Sequence, residues 1–187
     1  YKDNTIECLQ VLGNIHENPT LLNGEKMKAK VLAQYIINRS NKGISNIELQ
    51  KILYFVVLKH YKDIGEYLLD ENFEAWQFGA IIYSVYRDYR SYGANSIDKT
   101  NENIEIEDSI KQRVDFVLSK LSNYNYWDWV GMLHAKGGAW DITYSKEKKG
   151  VIPCELIKKE SFIINQICNG ICMIQKNSLN IRKMQGF

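Results

Sequence analysis

Apolar positions recur every three to four residues over most of this chain, the period of amphipathic helices. Val31, Leu32, Tyr35 and Ile36 begin the series, and Asn-Lys-Gly at 41–43 closes the first helix. The next segment, "ISNIELQKILYFVVLKHY" at 44–61, is apolar on most sides, which predicts a buried central helix over 46–62. Ser45 and Glu48 have capping-box spacing, and Ile44 and Leu49 sit where a hydrophobic staple closes, so two start signals agree. Beyond Gly65, "EYLL" and "FEAWQ" flank the polar Asp70-Glu71-Asn72 and read as a short β-hairpin. Gly79 leads into a helix over 81–92 with Ile82, Val85, Tyr86 and Tyr89 on its core side and Gly93 as its stop. Ile110, Val114, Val117, Leu118 and Leu121 form a clean stripe behind the acidic start Glu107-Asp108. "YWDWVGMLHAKGGAW" at 126–140 supplies another helix, ended by Gly137-Gly138, with a loop over 136–149. Pro153 suits the start of a last helix covering 156–174. The fold class is therefore mainly α: a compact helical domain over 27–175 with one small β-hairpin. Residues 1–26 read as an N-terminal extension, and 176–187 as a flexible tail.

Bulk properties change this picture little. A chain of 187 residues with 45% hydrophobic content can bury a real core as one domain. A net charge of +2 gives no push toward nucleic acid or an anionic membrane, so nucleic-acid binding is not expected. The longest apolar run, 52–58, is far shorter than the roughly 20 residues of a membrane span. Cys8, Cys154, Cys168 and Cys172 form no C-x-x-C pair and read as thiols of a reducing cytoplasm. No metal and no cofactor is expected.

Catalytic patterns are missing from the sequence: no Gly-rich phosphate loop, H-E-x-x-H, G-x-S-x-G or dinucleotide fingerprint. His16, His60 and His134 are scattered. His134 is the one candidate acid or base, but no nucleophile accompanies it in sequence, so it is expected to tie down the loop that follows. An enzyme is not expected.

Three segments carry a resemblance. "ISNIELQKILYFVV" resembles the "(L/I)(S/T)NLKLQKLLYFAQ" segment of the Panacea domain family. "FEAWQFGAIIYSVYRDYRSYGANSI" at 73–97 resembles that family's "EAWxYGPVxxxVYxxYxxYGxxxI" segment, and "LHAKGGAW" resembles its "LTHxExxPW" segment. Order and spacing agree over about 27–165. Panacea domains include the SocA-type antitoxins and are often encoded in prophages and mobile elements. The resemblance therefore implies a cytoplasmic antitoxin that binds a cognate toxin protein, or else a phage-borne protein that inhibits another host factor. The matched positions Trp76, Gly79, Tyr86, Tyr89, Gly93, His134 and Trp140 read as packing and chain-reversal residues. Trp76 is expected in the core with its indole N–H on a backbone partner. Ala80 stands where the family has proline, which would cost a helix entry its preferred first residue. Gly138-Ala139 replaces the usual residues before Trp140.

The candidate contact surface lies opposite the core side of the 81–92 helix. Tyr83, Arg87 and Arg90 follow i, i+4, i+7 spacing there. Tyrosine and arginine are enriched in interface hot spots, so these three are the expected partner-binding residues.

Overall fold

The computed structural model describes residues 26–122 and 124–169, without the side chains of 126 and 163–169. Within them the chain forms seven α-helices and one two-stranded antiparallel sheet: α1 (Ala29–Arg39), α2 (Asn46–Ile64), β1 (Glu74–Trp76), β2 (Gly79–Ile81), α3 (Tyr83–Tyr89), α4 (Asp108–Leu121), α5 (Tyr126–Leu133), α6 (Ala139–Lys146) and α7 (Cys154–Asn169). The mainly α class with a small hairpin is as the sequence predicts. The extension, the tail, Cys8, Cys172 and His16 lie outside the described residues.

Helix α2 is the hub, touched by α1, α3, α4, α5, α7 and β2. Its capping box forms: the Ser45 N–H and hydroxyl both donate to the Glu48 carboxylate, at 2.9 and 2.6 Å. Ile44 and Leu49 are both buried beside it. The left-handed Gly65 ends the helix, its N–H donating to the Tyr61 carbonyl. Leu49, Leu53, Val56 and Val57 are fully enclosed, as are Leu32 and Ile36 of α1, Val85 of α3, Val114 of α4 and Ile157 of α7. These side chains form one contiguous core.

The hairpin is not where the polar triplet suggested. Glu74, Ala75 and Trp76 pair with Ile81, Ala80 and Gly79, so the turn is Gln77-Phe78. Asp70 acts elsewhere, its carboxylate accepting the Ala29 N–H at 3.0 Å, at the start of α1. Leu69 meanwhile forms an isolated parallel bridge with Met27. Asp70 thus serves a helix start 41 residues away in sequence, while Glu71 accepts the Ser84 hydroxyl at 2.6 Å.

Two further expectations change. The 81–92 helix is shorter: β2 occupies 79–81, α3 runs over 83–89, and a single 3-10 turn covers Arg90–Tyr92. Ala80 is a strand residue, so the lost-proline argument for a helix entry does not apply. The predicted 136–149 loop is mostly helix α6. Gly138 is the N-cap of α6 rather than a terminal stop, and α5 already ends at Leu133. The chain after α6 returns to the hairpin. Ala75 N–H donates to Gly150, Lys149 N–H to Ala75, and Ile152 N–H to Phe73. This pairing covers the open edge of β1, whose backbone groups would otherwise lack partners.

Candidate partner-binding site

The motif residues surround the hairpin. Trp76 is half-buried rather than a core anchor, and its indole N–H donates to the Glu74 carboxylate at 2.8 Å, not to backbone. Its ring lies 5.2 Å from Tyr86 and 6.2 Å from Tyr83, with the Lys149 ammonium 4.6 Å above it. Trp140 is the indole that finds backbone, donating to the Trp76 carbonyl at 2.8 Å. The His134 ring stacks on Trp140 at 3.7 Å and 6°, and Tyr144 lies on Trp140 at 4.9 Å. Tyr89 donates to Gln34 of α1. Gly93, at φ +56, ends the 3-10 turn with its N–H on Arg90.

Beneath this layer, α2 supplies polar groups that the sequence pattern does not set apart. The Gln50 side-chain oxygen accepts the Ile82 N–H at 2.9 Å, and the Asn46 amide donates to the Tyr86 carbonyl at 2.9 Å. Lys51 is fully enclosed and donates to the Phe78 carbonyl at the hairpin turn. Gly79, at φ +112, permits this approach. A Cβ there would fall 1.9 Å from Lys51 Nζ and 3.1 Å from His134 Nε2, and the conformation itself suits glycine. Tyr54 donates to Glu160 of α7 at 2.6 Å. The signal was present in "LQKILY": an amide and an ammonium within a helix apolar on most sides must be buried and bonded.

These environments shift the titrations. Burial lowers Lys51 to about 8. Burial first, and then the Lys51 charge, lower His134 to about 4. Burial and the Arg113 charge bring His60 to about 4 as well. Burial raises Glu160, with the Tyr54 hydroxyl and the Ala139 N–H pulling the other way. His134 is thus neutral near pH 7. Its Nε2 is buried with no hydrogen-bond partner, and its stacked face is occupied by Trp140. A neutral, stacked imidazole beside an ammonium and a carbonyl holds a turn in place. Among the described residues no three His, Cys, Asp or Glu side chains converge as a metal site. No described helix is long and apolar enough to cross a membrane.

On the outer side of α3 and the 3-10 turn after it, Tyr83, Arg87 and Arg90 are all exposed, Tyr83 at 46%. Asp88 is engaged by Lys30 at 2.6 Å, and Arg87 Nε reaches it only at 3.8 Å. The Arg87 guanidinium is therefore not committed to its neighbour. Phe78, 59% exposed at the hairpin turn, adds an aromatic residue to the hairpin that sequence reasoning missed because it placed the turn elsewhere.

Comparison with known proteins finds a family likeness over this part of the chain. The family model for antitoxin SocA-like, Panacea domains matches residues 49–141, from the polar face of α2 to the start of α6. Antitoxin SocA of Caulobacter vibrioides (strain NA1000 / CB15N) is 27% identical over 139 residues, covering 66% of this chain and 74% of that protein. No solved structure matches. The hairpin, the α3 stripe and the stack on His134 all fall inside the matched stretch, over which the chain is similar to the SocA-like Panacea family.

Proposed function

We propose that this protein is an antitoxin that neutralises a cognate toxin by direct protein–protein contact, with Tyr83, Arg87 and Arg90 in the contact. The similarity to Antitoxin SocA carries the antitoxin role. The exposed stripe supports direct contact. Tyrosine buries a large amphipathic surface at low entropic cost, and arginine offers a fork of donors to carboxylates. The reading is non-enzymatic, because His134 and Lys51 are spent on the hairpin turn. Nothing in it requires a cofactor.

Coexpression with the neighbouring reading frame tests the role. The neighbour expressed alone is expected to stop growth, and the pair to restore it. A neighbour that is harmless alone removes the main support for the antitoxin reading.

A further inference from the structure

A second surface adjoins these groups toward the C-terminal half of α2. Phe55, Leu58, Phe116, Val117 and Leu133 wall an apolar cavity of about 180 Å³ between α2, α4 and α5. Phe116 remains 37% exposed at its mouth. Four lysines, Lys59, Lys62, Lys120 and Lys136, stand around it. Lys59 and Lys120 hold their ammonium groups 5.1 and 5.5 Å from the Phe116 ring centre. One carboxylate, Glu160, lines the cavity, and Tyr54 and the Ala139 backbone hold it. Asp63, beside the rim, is shared between Lys59 at 2.5 Å and Arg113 at 3.1 Å. The mouth is thus apolar in its centre and positive around it.

Size and charge together select the occupant. Small-molecule sites usually need about 300 Å³ or more, whereas an apolar cavity of about 150 Å³ takes one benzene-sized group. The cavity here therefore suits a single leucine or phenylalanine side chain. The lysine rim calls for carboxylates on either side of that anchor. We propose that this cavity docks an acidic segment of a partner protein that inserts one apolar side chain between flanking carboxylates. The surface belongs to α2, α4, α5, the segment after α5 and Glu160 of α7, and it does not depend on the α3 stripe.

The test is fluorescence anisotropy on the full chain. The probe is a short fluorescein-labelled polyglutamate peptide with one central phenylalanine. It is compared with the same peptide carrying alanine at the centre and with a polylysine counterpart. The parent is expected to bind the phenylalanine probe, with about tenfold weaker binding of the alanine probe and none of the lysine one. Lys120→Glu with Lys136→Glu, and separately Ala135→Trp at the exposed rim, are each expected to weaken the phenylalanine probe about tenfold. Circular dichroism should show both variants folded. Equal binding of the phenylalanine and alanine probes, undiminished binding by either folded variant, or no saturation up to about 1 mM probe would each overturn the proposal. So would lysine-dependent binding to phosphatidylserine vesicles without binding of the peptide. Growth rescue is not read in this assay, so its failure leaves the antitoxin reading standing.

Discussion

Two adjoining faces of α2 invert the usual rule in opposite directions. One face carries Asn46, Gln50, Lys51 and Tyr54, all polar or ionisable, and all are buried. The other carries Phe55 and Leu58 together with Lys59 and Lys62, and it lines a cavity. On the first face every polar group makes an internal bond. Asn46 holds α3, Gln50 holds the entry to α3, Lys51 holds the hairpin turn and Tyr54 holds α7. On the second, apolar surface is left uncovered by the described residues, and lysines surround it. Buried polar groups fix one arrangement of neighbouring elements, because any other leaves them without partners. Uncovered apolar surface does the reverse, since it gains by meeting another molecule. The first face is thus architecture, and recognition belongs to uncovered surfaces.

This division can be broken most severely at the packed face. Phe73 is fully enclosed and meets Tyr54 edge-on at 4.9 Å. Phe73→Ala is expected to cost about 3–5 kcal/mol in denaturant unfolding. A loss under about 1 kcal/mol would mean that this face is not the rigid one.

Lys51 gives the next effect, read against pH. Its folded-state pKa of about 8 lies below the ordinary 10.5. Between these values the unfolded chain keeps a proton that the folded chain has released, so stability rises with pH. From about pH 8 to 10 the gain is about 2 kcal/mol relative to Lys51→Met, which has no such group. The comparison stops near 10, where unfolded tyrosines ionise ahead of the buried Tyr54 and Tyr67 and reverse the slope. Parallel stability curves for the two proteins over this interval would show Lys51 to be solvated.

Legibility in the sequence followed the range of the interactions. Helices α2 and α4 were readable because caps and apolar stripes are local: Ser45 and Glu48 are three residues apart and bond as expected. The hairpin was misplaced because Asp70-Glu71-Asn72 has turn composition, while its use, capping α1 at Ala29, is a tertiary fact. Helix α6 was missed because Gly137-Gly138 resembles a stop, yet Gly138 caps the next helix. Trp76 was placed in the core from its family position, but its ring stops half-buried under Lys149. The lysine-rimmed cavity was not visible at all, since its walls join α2 to α4, α5 and Glu160 of α7, all far from α2 in sequence.

The capping box offers a smaller and purely local test. Ser45→Ala removes a hydroxyl that donates to Glu48 at 2.6 Å. It is expected to lower stability by about 1 kcal/mol, without changing the slope of the denaturant curve. An unchanged midpoint would place the start of α2 under other control.

The smallest effect on stability, and the largest on function, is expected at α3. Tyr83 and Arg87 are exposed, and Arg87 has only a 3.8 Å contact with Asp88. Tyr83→Ala with Arg87→Ala should therefore shift folding stability by no more than about 0.5 kcal/mol per site. The most direct measurement is calorimetric titration of this folded double variant, beside the parent, against the product of the neighbouring reading frame. The account predicts that the variant binds at least about tenfold more weakly, a loss of about 1.4 kcal/mol. An affinity equal to that of the parent would contradict it and remove the α3 stripe from the proposed interface.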